Sequence, residues 1–368
     1  MSHTIPHMMK AFVLKGHGDF DMLEWHDDWP TPTPHGDEVL IKVGACGLNN
    51  TDINTRTAWY SKAVTKNTTG GAFDEADDDD ATWGGAPISF PRIQGADVVG
   101  HIVALGPEAD EALLGKRVLI DTWLRDWQDP TNRDKCGYYG SECDGGFAEF
   151  TKISAKHVHP INSPLSDEEL ATFATSYITA ENMLERAGVG AKDEVLITGA
   201  SGGVGSALIQ LTKRRGAKAI ALSSQEKSDE LYALGADHVI DRNAPNFKTA
   251  LAQATGKKTV TVLADVVGGD DWHHWLDCIE RGGRLTCAGA IAGPMVQFDL
   301  RTFYLRDLTF TGATIVPVGL FARLVGYIER GEIKPVLGAH YDLRDLHDAQ
   351  RAFIAKSHIG NIVVSPSK

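Results

Sequence analysis

The chain has 368 residues, 42% of them hydrophobic and 23% charged, which excludes an intrinsically disordered protein and leaves room for two domains with a sizeable core. The formal net charge of −13 argues against nucleic acid and anionic membrane surfaces as partners. Five cysteines are an odd and sparse set that argues against a disulfide framework; with no leader pattern in residues 1–9 and no apolar run near the roughly 18 residues of a membrane span, a cytoplasmic protein is expected.

Residues 10–60 and 91–160 read as β-rich, because short β-branched runs at 39–43, 98–103 and 117–120 are bounded by Gly, Asp and Pro. Between them, 61–89 has no periodicity and carries two Lys against six carboxylates, so a long surface loop or insertion is expected there. It begins directly after Tyr60. A mobile lid is the sharper expectation for it, with Phe73 and Trp83 as its large apolar groups.

From about residue 164 the rhythm becomes alternating strands and helices. Ser166-Asp167-Glu168-Glu169 is a capping-box pattern opening a helix. Runs at 195–197, 219–222, 239–240, 260–263 and 283–287 read as strands, with helical spacing at Val204, Ala207, Leu208 and Leu211 between the first two. This alternation predicts a doubly wound parallel sheet, a Rossmann domain.

Ala200-Ser201-Gly202-Gly203-Val204-Gly205 follows the first of these strands and opens the helix, the context a dinucleotide turn requires. Gly202 lets the backbone approach a pyrophosphate, Gly205 lets helix and strand pack closely, and the helix N-terminus faces the phosphates. Where an NAD site places a carboxylate on the ribose 2′-hydroxyl, this chain has Ser223, Ser224 and Lys227, which suit the 2′-phosphate of NADP(H). Glu226 in the same turn leaves an acidic ribose ligand open. Val267 and Gly268 after one strand, and Ala288, Gly289 and Ala290 after the next, are expected to pass close to the ribose and nicotinamide.

Several separate segments together resemble the medium-chain dehydrogenase/reductases: 34–43, Gly95-Ala96-Asp97-Val98-Val99-Gly100, Gly145-Gly146-Phe147-Ala148-Glu149-Phe150, the turn at 198–205 and 234–240. The resemblance covers nearly the whole chain. It implies an α/β fold in which a Rossmann domain is inserted in a GroES-like β-rich catalytic domain: 1–163 catalytic, 164–314 NADP(H)-binding, 315–368 a return to the catalytic domain. Family members commonly join Rossmann sheets edge to edge, so a homodimer through 308–313 is expected. Thr179 is expected at the nicotinamide amide.

The family divides into zinc-dependent alcohol dehydrogenases and zinc-free reductases. Where the zinc members carry ligands, this chain has Asn49, Ala96 and a residue near Thr175, so no catalytic metal is expected. Only Cys136 and Cys143 remain where those members hold a structural zinc. Asn49-Asn50-Thr51-Asp52, with Arg56 and Tyr60, resembles the quinone-oxidoreductase branch, which implies Asn49, Asp52 and Tyr60 at the substrate end of the cleft. The expected function is NADPH-dependent reduction of a small molecule, a quinone or an α,β-unsaturated carbonyl. An alcohol or carbonyl oxidoreductase and a non-catalytic NADPH-binding protein are the alternatives.

Overall fold

The computed structural model describes residues 5–367. Six strands pair in parallel in the spatial order His238–Asp241, Lys218–Ser223, Glu194–Ile197, Val260–Asp265, Ile279–Cys287, Thr309–Gly312. In chain order this is 3-2-1-4-5-6, the doubly wound arrangement, and the order reverses between Glu194–Ile197 and Val260–Asp265. These strands read as continuous apolar runs because helices cover both faces of the sheet; all four residues of Glu194–Ile197 are buried.

The approach to this sheet is set by Ser166, whose side chain accepts from the Glu169 N–H while the Glu169 carboxylate accepts from the Ser166 N–H at 2.8 Å. The helix Ala174–Arg186 follows. It packs on Gly203–Arg214, which buries Ala207, Leu208 and Leu211 on one face.

A second sheet of seven strands is centred on Glu38–Gly47, which pairs antiparallel with Asp97–Leu105, Phe150–Ser154 and Asn361–Ser365. Arg117–Ile120 and Val158–Pro160 extend one side, and Leu337–Asp342 extends the other, beside Asn361–Ser365. The last strand of the chain thus closes a sheet begun by residue 38, and the parallel sheet is inserted between. The helix Leu320–Glu329 still packs on Ala174–Arg186, so the chain rejoins the antiparallel sheet only at Leu337. Among the described residues no helix is long and apolar enough to cross a membrane.

Arg56 ties together segments far apart in sequence. Its fully buried guanidinium donates from Nε to Gln350 Oε1 at 3.1 Å, from Nη1 to Gly18 O at 2.9 Å and from Nη2 to Gly70 O at 3.0 Å, and it lies over the Phe20 ring. Burial outweighs the neighbouring Asp19 and Asp21 and brings it down to about 10. Truncation would leave three buried acceptors unpaired. Arg56→Ala should therefore cost about 3 kcal/mol or more of stability, read as a lowered denaturation midpoint; an unchanged midpoint would refute this clasp.

Candidate active site

The two sheets meet along a cleft at the point where the parallel strand order reverses. Its main cavity, about 220 Å³, is lined from the parallel-sheet side by Gly202, Gly203, Val204 and Gly205, and by Ala288, Gly289 and Ala290. The helix Ala174–Arg186 adds Thr175, Ser176 and Thr179, which share one face at helical spacing. A second cavity, about 420 Å³, continues from Gly199 along the parallel sheet past Ser201, Val267 and Gly268 to Ser223 and Arg242.

The turn residues differ in their work. A Cβ on Gly205 would overlap Gly199 O and the Ala200 backbone, so this glycine permits the close strand–helix crossing. A Cβ on Gly203 would overlap Asn361 Oδ1 and Ser176 Oγ, side chains of the other domain and of the connecting helix. A Cβ on Gly202 would meet only Gly199 O, at an ordinary contact distance of 3.5 Å. No side chain caps the helix Gly203–Arg214, and its first residues line the cavity, so its free N–H groups suit a pyrophosphate. Ala200 does not reach the cleft; it is fully buried behind the turn, its N–H directed to Leu222 O at 3.4 Å.

At the far end of the second cavity the expected donor set is redistributed. Ser223 lines the cavity, but Ser224 Oγ donates to Glu226 Oε1 at 3.2 Å instead. Lys227 turns away, donating from Nζ to Lys356 O and His358 O, both at 2.9 Å, because those carbonyls at a helix end attract a cation. The cation beside Ser223 is Arg242, one residue past the end of the neighbouring strand His238–Asp241, its N–H bonded to Ser223 O at 2.8 Å. Its signal in the sequence is a basic residue directly after a strand of the parallel sheet.

At the substrate end, Asn49 and Tyr60 line the main cavity with Trp59, Trp83, Trp123 and Tyr138. Asn49 ends the loop after Glu38–Gly47, and its Nδ2 is buried near the Asp97 carboxylate without a hydrogen bond of good geometry. The Tyr60 phenol is pushed up by burial against the hydrogen bonds of Thr51 and Asn54, so it keeps its proton at neutral pH. Asp52, by contrast, is not a cleft residue. It sits at the third position of the helix Asn50–Arg56, where its carboxylate accepts from the Asn49 N–H at 2.7 Å. Burial pushes it up to about 7.

Position 96 is a buried Ala, and Thr175 and Asp97 are bonded to each other. Thr175 N–H donates to Asp97 Oδ1 at 3.0 Å, its hydroxyl donates to the same oxygen, and Tyr138 OH lies 2.6 Å from Thr175 Oγ1. Among the described residues no group of three or more His, Cys, Asp or Glu is placed to hold a metal ion. Cys136 and Cys143 are free thiols, and burial pushes Cys143 up to about 12. The residues present do not fit a zinc ion.

The acidic stretch is the mostly exposed loop its sequence indicated, but it is pinned to the cleft at several points. Val64, Ala81 and Thr82 are buried, and Trp59 Nε1 donates to Lys66 O at 2.9 Å. Thr68 Oγ1 donates to Asn54 Oδ1, and Thr68 N–H to Ile291 O in the other domain. Phe73 does not line the cavity. Trp83 does, edge-on to Trp123 at 5.1 Å and to Tyr138 at 6.4 Å. Excising the stretch would therefore remove core, and Trp83→Ala is the cleaner probe. It should raise the KM of a small-molecule acceptor severalfold and leave NADPH affinity unchanged; an unaltered KM for every acceptor would show that Trp83 only fills space.

Residues 35–163 match the alcohol dehydrogenase GroES-like domain, and residues 203–329 match the zinc-binding dehydrogenase family. The second span contains none of positions 49, 96 and 175. The chain is 25% identical to a quinone oxidoreductase of Mus musculus, over 94% of each chain. It is 26% identical to an acryloyl-coenzyme A reductase of Sulfurisphaera tokodaii, over 97% of this chain and 100% of that one. A provisionally named alcohol dehydrogenase from Sinorhizobium meliloti 1021 is 41% identical, superposes with a TM-score of 0.89, and is covered over 98% of its length by 99% of this chain.

Proposed function

The chain is an oxidoreductase of the medium-chain dehydrogenase/reductase superfamily, and on that premise we propose that it reduces a quinone or an α,β-unsaturated carbonyl with NADPH and without a catalytic metal. The observation that carries the reading is the buried Asn49 amide, which forms no hydrogen bond of good geometry, in an aromatic-walled cleft, at the position where zinc members carry a ligand. A buried donor so poorly satisfied costs free energy in the free protein, and a substrate carbonyl would satisfy it. Tyr60, protonated by virtue of its burial, is a second donor on the same wall. When bound, the reduced nicotinamide supplies a hydride. Trp59 and Trp83 would wall the acceptor, and Asn49 and Tyr60 would draw electron density toward its oxygen.

NADPH is favoured over NADH by Ser223 and Arg242 at the adenosine end. The names of the quinone oxidoreductase and acryloyl-coenzyme A reductase relatives support the acceptor class. Between them, the six carboxylates at 74–80 favour a neutral quinone or enone over a polyanionic thioester. The alcohol or carbonyl reading is favoured by one observation, the name of the 41% identical relative. The free cysteines fit a cytoplasmic setting.

A panel of quinones, enones, enoyl thioesters and ketones, run with NADPH and NADH before and after exhaustive chelation, tests the proposal. Turnover of a quinone or enone that survives chelation, a preference for NADPH of at least about tenfold, and its loss in Arg242→Ala are expected. Turnover confined to ketones, or abolished by chelation, would overturn it.

We further propose a homodimer joined through Thr309–Gly312, which pairs with Ile279–Cys287 on one side only. Met295, Phe298, Leu300, Tyr304 and Leu305 are exposed in the preceding segment and supply apolar area. Thr311→Asp should convert the dimer to a monomer in sedimentation at micromolar concentration; a monomeric wild type would refute the assembly.

A further inference from the structure

Two-electron reduction of a carbonyl acceptor needs a proton as well as a hydride, and the cleft holds one continuous line of exchangeable protons. We propose that Tyr138 is the catalytic proton donor, supplied through the Thr175 hydroxyl by the carboxyl group of Asp97. This rests on the reductase reading above.

Tyr138 is 6% exposed and lines the main cavity, edge-on to Trp83 and Trp123, where an acceptor would sit. Its hydroxyl is 2.6 Å from Thr175 Oγ1, and Thr175 donates its single hydroxyl proton to Asp97 Oδ1. A hydroxyl has one proton, so with Asp97 ionised Thr175 accepts from Tyr138 and the phenol proton points away from the cleft. With Asp97 protonated the line reverses: the carboxyl donates to Thr175, Thr175 donates to Tyr138, and the phenol proton is released to face the cavity. The backbone N–H of Thr175, 3.0 Å from Asp97 Oδ1, holds the carboxyl in place in both states.

The step balances. Hydride transfer leaves a negative charge on the acceptor oxygen; the Tyr138 O–H bond breaks as the new O–H bond forms on that oxygen. Tyr138 takes the Thr175 proton, Thr175 takes the Asp97 proton, and Asp97 ends as a carboxylate that is reprotonated from water after product leaves. Burial raises Asp97 to about 6 against the bonds from Thr175 and the influence of the neighbouring Asn49 amide, so a protonated fraction exists near neutrality. The groups facing it are Cys46 from Glu38–Gly47, Asp52 from Asn50–Arg56, Thr175 from Ala174–Arg186 and Tyr138; none carries a positive charge, and Asp52 adds a like charge when ionised.

The test uses the full chain. Tyr138→Phe should lower single-turnover reduction of the best acceptor by about 10²-fold or more with KM nearly unchanged. Thr175→Val should do the same with Tyr138 intact, and Thr175→Ser should restore the rate and the wild-type solvent deuterium isotope effect. In coenzyme-free protein, carboxyl NMR should show an aspartate titrating near pH 6 that vanishes in Asp97→Asn and moves upward in Thr175→Val, a readout that needs no turnover. Wild-type rates in Tyr138→Phe, or an Asp97 titration unmoved by Thr175→Val, would overturn the relay. A wild type that reduces no acceptor would overturn the reductase reading instead, with the titration still deciding whether the line exists.

Discussion

The strand Asn361–Ser365 is the constraint on which the cleft depends. Its first residues touch the coenzyme turn, with Gly360 N–H bonded to Ser201 O at 2.9 Å and Asn361 Oδ1 so close to Gly203 that no Cβ fits between them. Two residues on, the same strand pairs with the end of Glu38–Gly47, Val363 opposite Gly47 and Val364 opposite Cys46. That strand end delivers Asn49. The distance from the glycine turn to Asn49 is thereby set by a single stretch of sheet, and sheets at native packing density do not stretch. Lys227 reinforces the same joint from the other domain by gripping the carbonyls of Lys356 and His358.

Asn49, Ala96 and Thr175 stand where zinc members of the superfamily carry ligands. The carboxyls left there, Asp52 and Asp97, are buried with no positive partner and are raised to about 7 and about 6. Zinc would hold both well below neutrality. Each is held by a backbone N–H donor that keeps its position fixed whatever its charge.

The parts legible in the sequence were those fixed by local rules. The glycine turn, the capping box at Ser166 and the order of strand and helix depend on neighbours a few residues away, and each stands where its pattern indicated. Asn49 and Tyr60 line one cavity. What the sequence hid depends on contacts between distant segments. Lys227 looks like a phosphate ligand until two carbonyls some 130 residues later claim it. Arg242 looks like a surface residue until its strand is laid beside Ser223. Asp52 has the chemistry of a catalytic group, but a helix start uses its carboxylate first. Tyr138 and Thr175 lie 37 residues apart, and no spacing rule joins them.

The acidic stretch at 61–89 shows how far composition can mislead. Its sequence has the charge and low apolarity of a segment that opens freely, and its carboxylates are indeed in water. Yet Arg56 binds Gly70 with the same guanidinium that binds Gly18 and Gln350, and Val64, Ala81 and Thr82 belong to the interior. Freeing the stretch means breaking the hold on the N-terminal turn and on the helix Leu346–Ala355 as well. Its opening is therefore bound to a larger cooperative unit, and a protease would find it cleavable at the rate of that unit's unfolding rather than at the rate of a fraying loop.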